Sequence, residues 1–412
     1  MCSQYFKISF TGDIMCEKRL LKASYEGGRY NFDKVFENIN LTFQKSDIVV
    51  GNLETIFAGK KAGYTKELYS FNTPDEFAKA LKKSGITYVS TANNHCLDRG
   101  VQGLIRTLNI LDEVNIKHFG TARTEIERNE VVAVQIGNKK VALLSYTYGT
   151  NTEENNILLD DQKMFLVNCL KSQKNELEKF KKSINISGWR AKTSKAIRKI
   201  TSLEQRMKLK LKLGILNNVP QIDNITEGDI IKENIQKMKI DVQKAKKNFD
   251  CVIMCLHCGG LFNTEIGTYT KYIVRELEKE KIDLIVGNHP HVVQKFQELN
   301  NSVKIAYSLG NLSISPSSIY VIHENHPEIS VLLHVYFQRE TARIEKITFS
   351  LLKILEDKKG QITIYEISAL NKKLQKNEDK KRLFIDVKEV YAQFTGNSDD
   401  FQIKDEYFIW ER

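Results

Sequence analysis

Five short apolar runs in this chain each stop at a carboxylate, an amide or an imidazole. Tyr5 to Phe10 runs into Thr11-Gly12-Asp13, and Ser46 to Gly51 into Asn52-Leu53-Glu54. The run ITYVSTANNH carries Asn94 and His95 just past its apolar part, Cys251 to Leu256 ends in His257, and Ile282 to Gly287 ends in the turn that bears His289 and His291. Runs of this length and β-branched content read as strands. Between them lie helical patterns: Pro74 to Lys83, the stripe Val101, Leu104, Ile105, Leu108, Leu111, and Tyr269 to Glu280. Alternation of this kind predicts an α/β layer architecture. In such folds ligands gather outside the carboxyl ends of the strands, so all five polar groups are expected at one edge.

Lys117 to Gly120, Lys140 to Ser145 and Val303 to Leu309 supply further strands, and Ile231, Ile235, Met238, Val242 and Ala245 mark an amphipathic helix. From about 155 to 215, between the two α/β stretches, the character changes to a proline-free, Lys-rich segment. The chain therefore divides into residues 1–154 and 226–340, two halves of one α/β unit, with a basic helical insertion at 155–225 and an extension at 341–412. SVLLHVYFQ and QITIYEIS alternate with period two, which predicts antiparallel sheet toward the C-terminus.

The net charge is +11, and its distribution decides how to read it. Residues 163–212 hold fifteen lysines and arginines against Glu176, Glu178 and Glu204, so one segment carries the whole excess. A solvated helical insertion is the first reading and an anion-binding surface the second. No apolar run approaches the roughly 18 residues needed to span a bilayer. The start, MCSQYFKISF, lacks the basic region and apolar run of an export signal. Seven cysteines, an odd number, read as free thiols of a reducing compartment, so a cytoplasmic location is expected.

Each polar residue has a bland reading on its own: Asp13 as a helix cap, a single loop histidine as an ordinary surface or core residue. GNHPH is sharper, because its two imidazoles flank a proline that stiffens the turn. Taken together, Asp13, Glu54, Asn94, His257, His289 and His291 can make neighbouring sites of mixed oxygen and nitrogen ligands. Such sites suit one or two divalent ions, Mn, Fe, Zn or Mg, as a metal-dependent hydrolase needs.

Six motifs in order carry a resemblance: FTGDIM at 10–15, VVGNLET at 49–55, TANNHCLDRG at 91–100, IMCLHCGG at 253–260, VGNHPHVVQ at 286–294 and YSLGNL at 307–312. Over about residues 5–315 the chain resembles the CapA family, the capsule or poly-gamma-glutamate biosynthesis proteins of the calcineurin-like metallophosphoesterase superfamily. The resemblance implies a four-layer metallophosphatase-like αββα sandwich. It implies Asp13 as the first metal-binding aspartate, Glu54 in the bridging position, and Asn94, His257, His289 and His291 as further ligands. It gives His95 the role of general acid, and Asp98 stands where a carboxylate orients that imidazole. YSLGNL either lines the site edge through Ser308 and Asn311 or is simply a tight glycine turn. Two departures stand out. Met15 replaces a histidine that the wider superfamily uses as a ligand, and Cys258-Gly259-Gly260-Leu261 follows His257 where the family has Trp-Gly-x-Glu.

The resulting expectation is a CapA-like metal-dependent hydrolase of a phosphoester or of a gamma-glutamyl or other amide bond, linked to capsule-type polymer metabolism. Its substrate is expected to be an anionic small molecule or polymer. The alternative is a non-catalytic polyanion-binding accessory protein on the same scaffold. Nucleic acid is not expected, because the basic segment offers only Phe165, Phe180 and Trp189 for stacking on bases. The oligomeric state is left open by the sequence.

Overall fold

The computed structural model describes residues 4–66, 68–155, 157–176, 178, 201, 203–212 and 219–412. Two sheets form from the alternating runs. In the first, β1 (Tyr5–Ile14), β2 (Ile48–Leu53), β3 (Tyr88–Ser90) and β4 (Lys117–Phe119) lie side by side and parallel. In the second, β5 (Val132–Ile136) pairs antiparallel with β6 (Lys139–Thr147), and β6, β7 (Cys251–His257), β8 (Leu284–Asn288) and β10 (Lys304–Leu309) run parallel. β9 (Val293–Glu298) closes that sheet antiparallel to β10. All seven residues of β7 are buried, as expected for an interior parallel strand covered on both faces.

Period-two alternation sends each strand's side chains into two different cores. Ile8, Phe10 and Val50 of the first sheet meet Val141, Leu143, Ile253, Leu284 and Val286 of the second. On the outer face of the first sheet, Val49, Leu53 and Val89 pack against Phe77 and Leu81 of α1 (Asp75–Ser84) and Leu104 and Leu108 of α2 (Gly100–Glu113). On the outer face of the second, Leu144, Val252, Met254 and Ile285 pack against α3 (Lys232–Asn248) and α4 (Thr268–Lys279). The layers are therefore helix, sheet, sheet, helix, the expected sandwich. α1 shows why the pattern was readable: Pro74 precedes it, Asp75 and Glu76 open it, Lys82 and Lys83 close it, and Gly85 turns the chain away at φ +109°.

The antiparallel strands expected toward the C-terminus extend the first sheet. β11 (Asn311–Ser313) lies beside β1, and β12 (Ile329–Gln338) pairs antiparallel with β1 and with β13 (Ile344–Glu356). β14 (Ile362–Glu366) and β15 (Tyr407–Glu411) both pair with β13. An expected boundary at 340/341 thus falls between two hydrogen-bonded strands. The last 72 residues also hold a 19-residue helix, α5 (Asn377–Thr395), which buries Leu383, Val387, Val390 and Phe394. Much of the middle of the expected basic insertion, residues 179–200 and 213–218, lies outside the described residues; its helix Leu203–Lys212 is described.

Cys16, Cys96, Cys169, Cys251, Cys255 and Cys258 are free and buried, and Cys2 lies outside the described residues. Cys255 and Cys258 stand at C-x-x-C spacing, but the strand sends the first into the inter-sheet core and the second into the helix-side core. Among the described residues, no helix is long and apolar enough to cross a membrane.

Candidate metal centre

The register of the two sheets brings the polar strand ends together. In the first sheet Asp13 stands beside Asn52 on one side and Asn311 on the other, and Asn52 beside Ser90. In the second, His257 stands beside Asn288. His289 and His291 follow β8 in a turn where both adopt left-handed backbone, φ 101° and 58°. Two non-glycine residues in that region within three positions mark stored strain, which the surrounding packing must hold. Gly259 makes room for the turn, since a Cβ there would sit 2.6 Å from Pro290 Cγ.

Glu54 is the centre of the arrangement. Its Oε1 lies 3.5 Å from His257 Nε2, 3.8 Å from His291 Nε2 and 4.0 Å from His95 Nε2. Two groups of potential ligand atoms form around it: Glu54 with His257 and His289, and Glu54 with Asp13 and His291. Within each group the atoms lie within 4.8 Å of one another, and all five residues are buried. Asn94 joins the first group through Oδ1, 2.7 Å from His257 Nε2. His291 Nδ1 lies 3.3 Å from Asp13 Oδ2, and the His289 backbone N–H donates to that same oxygen at 3.0 Å.

Both carboxylate oxygens of Glu54 and the Nδ1 of His289 are buried without a hydrogen-bond partner. Burying a carboxylate away from water and from donors is costly, and a cation is the usual compensation. The residues present therefore fit a divalent ion, and the sharing of Glu54 fits two. The charges of the site act differently on its groups. Burial, then the charges of His257 and His291, push His289 well below the ordinary imidazole value, leaving the neutral form that a metal requires. Burial opposes the charge of His291, but Glu54 and Asp13 outweigh it and lift the group to about 9. Asp13 is held below the carboxylate range because His291, His257 and Asn52 overcome its burial.

His95 sits at the rim of the cluster. Its Nδ1 lies 2.7 Å from Asp98 Oδ2, and its Nε2 faces Glu54. Burial works against its protonated form, while Asp98 and Glu54 outweigh burial and raise it above the ordinary value. Asp98 is itself fixed by the Phe71 backbone N–H at 2.5 Å and the Asn155 amide at 2.9 Å. Asn311 Oδ1 lies 2.9 Å from His291 Nδ1, and its amide donates to the His291 carbonyl at 2.8 Å. Ser308 is buried and accepts from the Gly310 N–H at 3.2 Å, inside a turn where Gly310 takes φ +76°. Its observed partner is the glycine turn.

Sequence reasoning missed Asn52 and Asn151. Asn52 is two residues before Glu54, hence on the same strand face, and its position in VVGNLET was the available signal. Asn151 follows β6, a strand end without histidine or carboxylate; its amide lies 3.1 Å from His95 Nδ1. The two departures also find their places. Met15 is packed in the helix-side core of the first sheet. Cys258 is a core filler whose thiol burial pushes up to about 12, with Thr270 Oγ1 at 3.2 Å from its sulfur.

A family model described as bacterial capsule synthesis protein PGA_cap matches residues 7–316, close to the 5–315 covered by the six motifs. The PGA biosynthesis protein CapA of Bacillus subtilis (strain 168) is 24% identical over 306 residues, 74% of this chain and 62% of that protein. The capsule biosynthesis protein CapA of Bacillus anthracis is 24% identical over 307 residues, 74% of this chain and 58% of that protein. The chain thus spans about three fifths of the length of these curated relatives. Among solved structures, a phosphatase of Mycoplasma pneumoniae aligns at 10% identity over 84% of this chain and 93% of that one, TM-score 0.39. GAP50, the anchor in the inner membrane complex of Plasmodium, aligns at 11% identity over 94% and 95%, TM-score 0.34.

Proposed function

The chain belongs to the bacterial capsule synthesis protein family PGA_cap, and on that premise we propose that it is a metal-dependent hydrolase of a phosphoester or a gamma-glutamyl or other amide bond in capsule-type polymer metabolism. The observation that carries this reading is the placement of Glu54, buried, without a hydrogen-bond partner and common to two ligand groups. Asp13, Glu54 and His291 would hold one divalent ion, and Glu54, Asn94, His257 and His289 the other. Bound there, the ions supply Lewis acidity toward the oxygen that gains charge and acidify water at neutral pH.

The chain's own residues do the rest. Asp98 holds Nδ1 of His95, which leaves Nε2 toward the cluster and able to give a proton to the departing oxygen or nitrogen. The raised value of His95 keeps that proton available near neutrality. Asn52 and Asn311 position Asp13, His257 and His291.

The test is metal content by mass spectrometry of wild type against His289→Ala/His291→Ala, after loading with Mn, Fe, Zn or Mg. One or two equivalents in the wild type that vanish in the variant support the reading. No metal under any loading overturns it and favours the non-catalytic polyanion-binding alternative.

A further inference from the structure

The aromatic layer behind the cluster has a second face. Phe71 packs tilted against His95 with ring centroids 4.4 Å apart, and Tyr320 reaches His291 through Phe262, at 6.2 and 5.7 Å between centroids. Phe71 and Tyr320 also line a separate cavity of about 380 Å³. That volume lies within the range of small-ligand sites, about 300–1,000 Å³. One side chain, Phe71, thus separates the cavity from His95, and two, Tyr320 and Phe262, separate it from His291.

The other lining residues are predominantly cationic. Lys18, Lys22, Lys66, Lys208, Lys358 and Lys359 face it, together with Arg19, and Glu17 is the one carboxylate among the lining residues. Glu17 is buried and already engaged by the Ser315 N–H and the Tyr320 hydroxyl, and Arg19 is paired with Glu356 at 2.8 Å. Among the described residues, Lys22, Lys66, Lys358 and Lys359 have no salt-bridge partner. These lysines come from distant parts of the chain: the helix Lys18–Ala23, the loop at Lys66, the helix Leu203–Lys212 and the β13–β14 turn. The turn is docked closely, since a Cβ on Gly360 would sit 3.0 Å from Arg19 Cβ.

Isolated lysines on a convex surface are ordinarily just solvated. Here they converge on one concavity, where like charges repel and a low-dielectric wall focuses their field until an anion enters. Lys208 also gives part of the basic insertion a place in the fold beside the site.

We infer that this cavity is the subsite for an anionic portion of the substrate, a chain bearing carboxylates or phosphates, which it holds while the scissile bond meets the Glu54 cluster. The last clause rests on the hydrolase reading; the anion site itself does not.

Isothermal titration of the full chain with hexaglutamate and, separately, with tripolyphosphate tests it. Either probe should bind the wild type, lose affinity as salt screens the field, and bind Lys22→Ala/Lys66→Ala/Lys358→Ala about tenfold or more weakly. The tighter of the two probes identifies carboxylate or phosphate as the natural group. Lys380→Ala/Lys381→Ala, on α5, should bind as the wild type does, and a thermal melt checks that each variant is folded. Binding of neither probe, or affinity unchanged in the triple variant, overturns the proposal. The same titration on His289→Ala/His291→Ala separates the two readings, because anion binding should persist there whatever the metal content.

Discussion

Asn52 donates its amide to Asp13 Oδ1 at 2.7 Å and lies 3.1 Å from His257 Nδ1, so one side chain ties a first-sheet ligand candidate to a second-sheet one. The Ser90 hydroxyl, donating to Asn52 Oδ1 at 2.9 Å, fixes which way that amide points. Outer partners of this kind commonly change metal affinity about 10–100-fold when removed. Asn52→Ala is therefore expected to weaken binding by that order in a chelator-competition titration while the protein stays folded. Unchanged affinity would reduce Asn52 to a packing role.

His95 and Asp98 make a separable prediction, because neither belongs to the two ligand groups around Glu54. His95→Ala should retain wild-type metal content and lose turnover about 10²-fold or more on any substrate found by screening. Asp98→Asn should lose less and move the alkaline limb of the pH–rate profile to lower pH, since the imidazole loses the carboxylate that raises it. A fully active His95→Ala enzyme would remove the general acid from the scheme.

The sandwich was legible because its interior strands are nearly all apolar and each stops at a polar residue, as Cys251–His257 does. Asn52 escaped notice because an amide at a strand end carries no pattern that separates a positioning group from an ordinary hydrogen-bonded one. α5 does show apolar steps of four, three and four at Leu383, Val387, Val390 and Phe394. They follow the charged run NEDKKR, and the stronger period-two alternation of the two preceding runs masks them. β5 and β9 each pair antiparallel with the strand that follows in sequence, and their polar residues, Gln135 in one and Lys295 and Gln297 in the other, break the apolar runs by which the other strands were read.

Gly12 should prove as intolerant as the aspartate it precedes. A Cβ there would lie 2.1 Å from the Gly310 carbonyl oxygen, and a backbone carbonyl held by the Asp13 N–H between two strands cannot swing aside as a side chain can. Gly12→Ala must push β11 away from β1, straining the Asp13 N–H bond to Gly310 at 2.9 Å and the placement of Asn311 against His291. Overpacking of this sort costs about 1–3 kcal/mol. A urea titration should show the lowered midpoint, and a midpoint equal to the wild type would mean the two strands separate freely.

A second polar cluster lies away from the metal candidates and predicts how stability varies with pH. His326, in left-handed backbone at φ 51°, places Nε2 2.8 Å from Glu389 and Nδ1 3.9 Å from Glu328, while Lys353 stands 3.4 Å from both Glu328 and Asp386. Lys353 supplies the cation, so the cluster is an ion-pair network clamping α5 to β13 and to the residues that lead into β12. Glu328 and Glu389 together outweigh burial and raise His326 from 6.5 to about 9. Burial opposes the charge of Glu328, but His326 and Lys353 prevail and lower it from 4.5 to about 2. A raised imidazole contributes stability below its unfolded value, and that contribution is lost as pH climbs through the folded value. A depressed carboxylate contributes above its unfolded value and loses its share as pH falls through the folded one. Both are fully present between about 4.5 and 6.5. His326→Asn keeps a residue tolerant of left-handed backbone while removing the titrating group. Its melting temperature should fall furthest below the wild type inside that window, with the gap closing as pH rises toward 9. A gap that stays constant across the range would show that His326 acts there through shape alone.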